Sequence, residues 1–158
     1  MRKILYIFVA MLFCSCHVDY MSLGDSYVLI EDSSIEREDK EGYLEMLIPN
    51  QVLNEDYDKS HIIAYQKPDS DYFRSCCIDI YKYLSLSDST MHFQHKADSL
   101  EVLLDSMLKI RDCYWIIRKK DCKVFGPMTE SDFNRECKKR NIKLKMDKRY
   151  ERRYIRSY

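Results

Sequence analysis

The stretch from Cys113 to Phe133, CYWIIRKKDCKVFGPMTESDF, decides the fold. Tyr114–Arg118 and Lys123–Phe125 are runs of β-branched and aromatic residues separated by a charged turn, a pattern that predicts two antiparallel strands. We expect Gly126-Pro127 to end the second strand, because proline lacks an N–H group. Thr129 follows as a residue suited to capping a helix. The stretch therefore predicts a β-hairpin followed by a helix, and it contains no catalytic motif.

The first strand of this hairpin has two apolar faces. Trp115 and Ile117 point to one side and Tyr114 and Ile116 to the other, because successive side chains alternate across a strand. A strand that is apolar on both faces is covered on both sides. We therefore expect it to lie centrally in a sheet.

The remaining elements are predicted from periodicity. Apolar residues spaced by three and four between residues 89 and 111 predict a long amphipathic helix. Residues 72–86 have helical spacing too and are predicted to be a helix, although their β-branched content is also compatible with a strand. Outside the hairpin, the other predicted segments are strands at 27–31, 43–49, 51–53, 61–66 and 144–146, a charged loop at 32–41, a polar turn at 54–59 and a short helix at 130–140.

These elements predict an α+β fold. We expect one small antiparallel sheet of four to six strands, mostly a meander, packed against one long helix and one short helix. The chain has 158 residues, 46% of them hydrophobic and 33% charged, with three glycines and three prolines. This composition favours a single globular domain and excludes a disordered chain or a polytopic membrane protein.

The N-terminus has the pattern of an export signal. Residues 1–3 are Met-Arg-Lys, and ten apolar residues, 4–13, follow. This run is too short to span a bilayer, which requires about 20 residues, but it suits the core of a signal peptide. Ser15 before Cys16 resembles the lipobox of bacterial lipoproteins and fits better than bulky Phe13 before Cys14. Cys16 is therefore the predicted lipid attachment site; the alternative is an ordinary secretory signal with incidental cysteines.

This interpretation sets the predicted domain boundaries and localisation. They are a lipoprotein signal peptide at 1–15, a lipidated tether at 16–23, a single α+β domain at 24–146 and a basic, tyrosine-rich tail at 147–158. His17 stands where an aspartate would indicate retention in the inner membrane. We therefore expect a lipid anchor in the cell envelope, in the outer membrane if the bacterium is Gram-negative.

Charge is unevenly distributed along a chain whose net charge is zero. Residues 138–158 contain ten Lys/Arg and two Asp/Glu, which gives +8, while residues 17–137 contain fourteen Lys/Arg and twenty-four Asp/Glu, which gives −10. A basic tail could bind nucleic acid, but an exported protein rarely meets any, so we expect no nucleic-acid partner. An intramolecular contact between the tail and the acidic body is the favoured interpretation; the alternative is an external partner, for which anionic lipid or glycan is the natural choice.

Five cysteines remain after the signal peptide and Cys16. An envelope location permits disulfides, but the predicted hairpin register places Cys113 and Cys122 too far apart to bridge. The absence of a C-x-x-C motif favours buried thiols over redox catalysis. The pattern leaves open the disulfide state of Cys76, Cys77, Cys113, Cys122 and Cys137.

A metal site is the weaker interpretation of one helical motif. His92, His95 and Asp98 recur at helical steps, so a zinc site is geometrically conceivable. No fourth ligand lies nearby, and an ordinary surface edge of the helix is favoured. We expect no metal and no cofactor. The chain also lacks a phosphate-binding glycine loop, a G-x-S-x-G elbow and an H-E-x-x-H helix, so an enzyme is the minority hypothesis.

Three segments resemble one known family. YWIIRKKDCKVFGPMTESDF (114–133), IPNQV (48–52) and HIIAYQK (61–67) are similar to the domain-of-unknown-function 3997 family of small bacterial lipoproteins. The motif residues that carry the resemblance are Tyr114, Trp115, Gly126, Pro127 and Phe133. The resemblance covers about 24–67 and 114–146 and departs between 69 and 112. It implies a lipoprotein with no assigned activity.

Two functional hypotheses follow. The first is a membrane-anchored envelope lipoprotein that acts as a binding or structural module through protein or glycan contacts. The alternative is an inhibitor or immunity-type lipoprotein that neutralises a toxin or hydrolase, since a small acidic domain can cover a basic cleft.

Overall fold

The computed structural model of the protein describes residues 20–30, 34–87 and 91–146. Within these ranges the strands are β1 (Tyr20–Ser22), β2 (Tyr27–Ile30), β3 (Ile35–Glu38), β4 (Leu44–Ile48), β5 (Val52–Tyr57), β6 (His61–Gln66), β7 (Cys113–Arg118) and β8 (Lys123–Met128). The α-helices are α1 (Ser70–Phe73), α2 (Asp79–Ser87), α3 (His92–Ile110) and α4 (Glu130–Arg140). A π-helical segment, Arg74–Ile78, joins α1 to α2, and a 3-10 turn, Lys119–Asp121, joins β7 to β8.

The strands form two antiparallel sheets of four strands each: sheet 1 in the order β1-β2-β3-β4 and sheet 2 in the order β5-β6-β7-β8. The predicted α+β class is confirmed, whereas the prediction of one sheet with four to six strands is wrong. The sheets separate at Pro49–Gln51, where proline cannot donate a ladder hydrogen bond and Gln51 has a φ of +77°. The meander order expected within a sheet is present in both.

Two strands occupy segments predicted to be loop or turn. The expected charged loop at 32–41 contains β3, because Ile35 is fully buried and anchors an otherwise polar strand. The expected polar turn at 54–59 is shorter, because β5 continues to Tyr57 with Asn54 buried. A single buried side chain in a polar segment is a weak periodic signal, and this explains both errors.

The ends of the domain also differ from expectation. Residues 20–22 of the expected tether form β1, and Leu23 is fully buried. Residues 144–146 are not a strand; Leu144 and Met146 instead pack against the cluster around Phe133. The expected tail at 147–158 lies outside the described residues.

The hairpin of β7 and β8 has the predicted placement. Strand β7 lies between β6 and β8, which confirms its central position. Trp115 and Ile117 face the larger core, which α1–α3 cover, and Ile116 faces a second cluster that contains Phe133 of α4. Each sheet-2 face is therefore covered by helices, as the apolar character of β7 requires.

Gly126-Pro127 does not end β8, which continues to Met128. Gly126 has a φ of +136°, and a Cβ atom there would lie 2.6 Å from Cε3 of Trp115. Glycine is therefore required because the indole ring packs directly against the backbone. The pairing of β7 with β8 shifts register between Tyr114 and Ile116, which accommodates this close approach.

The helix predictions are confirmed. α3 occupies residues 92–110 of the predicted 89–111 segment, and residues 70–87 are helical throughout, which resolves the helix-or-strand alternative for 72–86. The Thr129 hydroxyl accepts a hydrogen bond from the Asp132 N–H at 3.2 Å and donates one to the Asp132 carboxylate at 2.8 Å. This cap starts α4 where the sequence predicts it.

A buried amide connects the two sheets. Gln66 is fully buried at the end of β6. Its Nε2 donates to the carbonyls of Pro49 and Asn50, at 2.7 Å each, in the link between the sheets. Its Oε1 accepts a hydrogen bond of 2.8 Å from Nε1 of Trp115. One side chain therefore fixes the sheet-to-sheet connection relative to the central strand.

We predict that Gln66→Ala lowers the free energy of unfolding by at least about 3 kcal/mol. The substitution leaves two buried carbonyls and the indole N–H without partners, and each such loss costs about 1–3 kcal/mol. Urea unfolding followed by circular dichroism measures the change. Gln94→Ala, at an exposed position of α3, is the matched control and should change stability by less than about 0.5 kcal/mol. Equal effects of the two variants would show that the amide network is not a stability determinant.

Candidate functional site

Three hairpin turns meet at one end of the molecule, and Lys119 holds them together. Its backbone N–H donates to the carbonyl of Ser60 at 2.9 Å, joining the β7–β8 turn to the β5–β6 turn. Its ammonium donates to the carbonyl of Leu23 at 2.6 Å, joining both to the β1–β2 turn. Tyr27 Oη lies 3.2 Å from the Lys119 carbonyl oxygen. This junction shapes the surface around it.

A basic pocket of about 520 Å³ opens at this junction. Four of its lining residues come from the two turns of sheet 2, and Arg140 comes from the end of α4. The residues that line the basic pocket are Asp25, Lys59, Ser60, His61, Arg118, Lys119, Lys120 and Arg140. Five cations thus share one concave surface with a single carboxylate.

The two arginines of the basic pocket have carboxylate partners. Arg118 donates to both oxygens of Asp121, at 2.8 and 2.6 Å, and Arg140 donates twice to one oxygen of Glu136, at 3.0 and 2.7 Å. The hydrogen bonds from these arginines lower the pKa values of both carboxyls. These pairs therefore stay ionised well below neutral pH.

The three lysines differ from the arginines. Among the described residues, no carboxylate oxygen lies within 4.0 Å of the ammonium of Lys59, Lys119 or Lys120. Lys119 is only 8% exposed, and the rings of Tyr27 and Tyr57 lie 5.9 and 5.4 Å from its ammonium. The lysines therefore give the basic pocket its uncompensated positive charge.

Asp58 lies behind the basic pocket and shapes the β5–β6 turn. Its Oδ1 accepts hydrogen bonds from the N–H groups of Ser60 and His61, at 2.7 and 2.8 Å. Burial alone would raise the pKa of this carboxyl, but the two backbone hydrogen bonds, together with electrostatic attraction from His61 and Lys119, lower it. The carboxylate is thus committed to holding the turn.

An aromatic cleft of about 540 Å³ lies on the face of sheet 2 that is opposite the larger core, between α4 and residues 144–146. The rings of Tyr65 and Tyr114 are 5.2 Å apart between centroids, and those of Tyr114 and Phe133 are also 5.2 Å apart. Together they form one aromatic wall. Exposed Glu130 and Asn134 of α4 supply polar groups at its rim.

The C-terminal side of the aromatic cleft is held by one hydrogen bond. The Lys145 N–H donates to Oδ2 of Asp56 at 2.9 Å, which positions residues 144–146 beside β5. On the opposite side, the Tyr65 hydroxyl donates to Asp112 at 2.7 Å and fixes the first ring of the wall. An aromatic wall with carboxylate and amide groups at its edge suits the faces of sugar rings or an extended peptide.

The two candidate metal ligands whose side chains are described, His95 and Asp98, belong to no metal-binding cluster of described residues. His95 and Asp98 are exposed on α3, and Asp98 accepts a hydrogen bond of 2.7 Å from Gln94. The side chain of His92 lies outside the described positions. In the described part of the chain, no group of three or more His, Cys, Asp and Glu side chains could hold a metal ion.

The cysteines are distributed between cores and turns. All five described cysteines are free, and they are Cys76, Cys77, Cys113, Cys122 and Cys137. Cys77 and Cys113 are buried in the larger core. Cys122 follows the 3-10 turn with a φ of +55°, and its Sγ lies 3.2 Å from the Tyr27 hydroxyl. Cys16, the predicted lipid attachment site, lies outside the described residues.

Neither the aromatic cleft nor the basic pocket was predicted from the sequence. Tyr114 and Phe133, named as motif residues, form two thirds of the aromatic wall, while Trp115 packs behind them in the larger core. Lys119 and Lys120 were predicted only as turn residues. The sequence does show that the β5–β6 and β7–β8 turns each carry lysine. The two turns become neighbours only through the pairing of β6 with β7, which the sequence does not reveal.

The comparison with known families agrees with these motif residues. The model of the family described as protein of unknown function (DUF3997) matches residues 24–150. The chain belongs to the DUF3997 family. The match runs through residues 69–112, which the sequence resemblance left out. No curated protein and no solved structure matches the chain.

The helices of this DUF3997 protein were also compared with the requirements of a membrane span. Among those in the described ranges, none combines the length and apolar character that crossing a bilayer requires.

We predict that the stability of the protein falls above pH 9. Burial raises the pKa of Cys77 from 9.0 to about 11 and that of Cys113 from 9.0 to about 12. The folded state keeps these protons while the unfolded state releases them. The stabilisation is therefore complete below pH 9.0 and is lost as the pH rises toward the folded-state values.

Urea unfolding at successive pH values tests this prediction. Each thiol should contribute a slope of up to about 1.4 kcal/mol per pH unit. Burial also raises the pKa of Tyr27, so the double variant Cys77→Ala/Cys113→Ala should keep a smaller slope. An unchanged slope in the double variant would contradict the assignment to the two thiols.

Proposed function

We propose that this protein is a lipid-anchored binding module of the bacterial cell envelope, and that its aromatic cleft holds a partner protein or glycan. The observation that carries the proposal is the continuous aromatic wall of Tyr65, Tyr114 and Phe133 beside the exposed polar groups of α4. A cleft of this size with apolar walls and a few polar groups is typical of ligand sites.

The anchor is the predicted acylation of Cys16. Strand β1 begins at Tyr20, four residues later, and four extended residues span at most about 14 Å. An acylated Cys16 would therefore hold the folded domain close to the membrane surface. Two or more acyl chains give stable attachment, whereas one chain binds only marginally. The residue after Cys16 is His17, which favours the outer membrane if the bacterium is Gram-negative.

Family membership supports the choice of cleft. Tyr114 and Phe133 belong to the segment that resembles the family motif, and both line the aromatic cleft. Phe133 is 7% exposed and also contributes to the smaller core. Phe133 and Tyr114 therefore both support the core and line a recognition surface. A binding function explains why the rings of Tyr65 and Tyr114 stay partly exposed to solvent.

We predict that Cys16→Ser abolishes labelling of the protein by radiolabelled palmitate in the native bacterium, because serine offers no thiol for acylation. Cys14→Ser is the matched control and should retain the label. Membrane fractionation of the same cells should show the Cys16→Ser protein released from the envelope pellet. Persistent labelling of Cys16→Ser would contradict the proposed anchor.

We predict that Asn134→Arg abolishes partner binding without unfolding the domain. The exposed Asn134 lines the aromatic cleft, so a longer side chain there obstructs it while leaving the core intact. The measurement is capture of protein from envelope extract, with a parallel sedimentation assay on purified envelope glycan. Ser99→Arg, at an exposed position of α3, is the control with the same added side chain.

The identity of what is captured distinguishes the forms of the proposal. A toxin or hydrolase lost with Asn134→Arg but kept with Ser99→Arg would indicate the inhibitor or immunity-type function. Glycan binding with the same pattern would indicate a glycan-binding module. Equal capture by both variants would exclude the aromatic cleft as the recognition surface.

A further inference from the structure

We propose that the basic pocket is a binding site for a phosphate group. This inference is independent of the lipid anchor and of the aromatic cleft. It rests on the convergence of Lys59, Lys119 and Lys120, which have no carboxylate partner within 4.0 Å among the described residues, on one pocket of about 520 Å³.

The geometry of the pocket is fixed in advance of binding. Lys119 is nine-tenths buried, and its contacts with the carbonyls of Leu23 and Ser60 join three turns of the chain. The guanidinium of Arg140 lies 3.9 Å from the centroid of the Phe125 ring, and that of Arg118 lies 5.6 Å from it. A ligand therefore finds several cations already positioned and loses little conformational entropy in ordering them.

The concentration of like charge favours an anionic occupant. Cations held in one concave surface repel one another, and low-dielectric walls strengthen the field at the centre of the pocket. Burial of a cation is also costly unless it is compensated. The direct contacts of the Lys119 ammonium are one carbonyl and two aromatic rings, and the Asp58 carboxylate attracts it from a greater distance. An anion that bridges the lysines would relieve the repulsion.

The charge balance favours a phosphate monoester over a carboxylate. Five cations and Asp25 line the pocket, and Asp121 and Glu136 neutralise the two arginines. Five positive and three negative charges leave +2. A phosphate monoester carries about −1.5 to −2 at neutral pH, whereas a carboxylate carries −1. The doubly charged ligand matches the pocket, and its several acceptor oxygens match separate ammonium donors.

Groups just outside the lining do not change this balance. Asp58 holds the β5–β6 turn through its two backbone hydrogen bonds. The ammonium of Lys139 lies 3.7 Å from Glu136, the carboxylate that also pairs with Arg140. Adding Asp58 and Lys139 to the count contributes one negative and one positive charge. His61 also lines the pocket and offers a further N–H donor.

Isothermal titration calorimetry on the full chain in neutral detergent tests the proposal. The ligands are inorganic phosphate, glycerol 3-phosphate, short-chain phosphatidylglycerol and acetate, each at the same ionic strength because screening alters all surface charge interactions. Saturable binding of inorganic phosphate and glycerol 3-phosphate is expected, with acetate binding at least about tenfold more weakly, which corresponds to about 1.4 kcal/mol.

Two charge reversals locate the site. Lys120→Glu and Lys59→Glu are both at exposed positions, so neither disturbs the core. Each is expected to weaken phosphate binding by at least about tenfold. Lys67→Glu is the matched control: it is also exposed and follows the far end of β6, about 20 Å from His61 along the strand. It should leave the affinity unchanged.

The outcomes separate the sources of the phosphate from failure of the proposal. Phosphatidylglycerol is a phosphodiester with a single negative charge, so the charge match predicts weaker binding than that of glycerol 3-phosphate. Equal or tighter binding that is lost in Lys120→Glu would support a phosphate site, assign it to a lipid headgroup and overturn the preference for a doubly charged monoester. Binding of the monoesters alone would support a soluble or glycan-linked phosphate. No saturable phosphate binding, equal binding of acetate, or equal loss in Lys67→Glu would overturn the proposal.

Discussion

The hydrogen bonds of Gln66 are the constraint on which the arrangement of the two sheets depends. The amide donates to Pro49 and Asn50, where the chain passes from one sheet to the other, and accepts from Trp115 in the central strand. The amide has no exposure to solvent. Water therefore cannot take the place of a lost partner, and the contribution of the network to the free energy of folding depends on all three hydrogen bonds being made together.

Fixing the sheets in this way also brings distant turns together. Leu23 and Lys119 are separated by 96 positions in the sequence and are joined by a hydrogen bond of 2.6 Å. The β1–β2 turn belongs to the first sheet and the β7–β8 turn to the second. The basic pocket consequently exists only in the folded domain, because no single segment of the chain contains more than half of its lining residues. Strand β6 contributes to both features, since His61 lines the pocket at one end and Gln66 joins the sheets at the other.

The parts of the fold that depend on local sequence were predictable. The hairpin of β7 and β8, strand β6, the long α3 helix and the Thr129 cap all follow from periodicity and capping residues. Strand β3 was missed because its burial rests on Ile35 alone. The division into two sheets was missed because it depends on long-range pairing. The motif rings of the aromatic cleft carried a signal, whereas the lysines of the pocket resembled ordinary turn residues.

Helix α4 connects the two candidate surfaces. Asn134 in the middle of α4 lines the aromatic cleft, and Arg140 at its end lines the basic pocket. Six residues of α-helix separate them by about 9 Å along the axis. The Arg140 guanidinium stacks 3.9 Å from the Phe125 ring centroid, and Phe125 packs in the same cluster as Phe133. The position of α4 on sheet 2 thus sets the shape of both surfaces, and a partner that fills the cleft approaches the cations of the pocket.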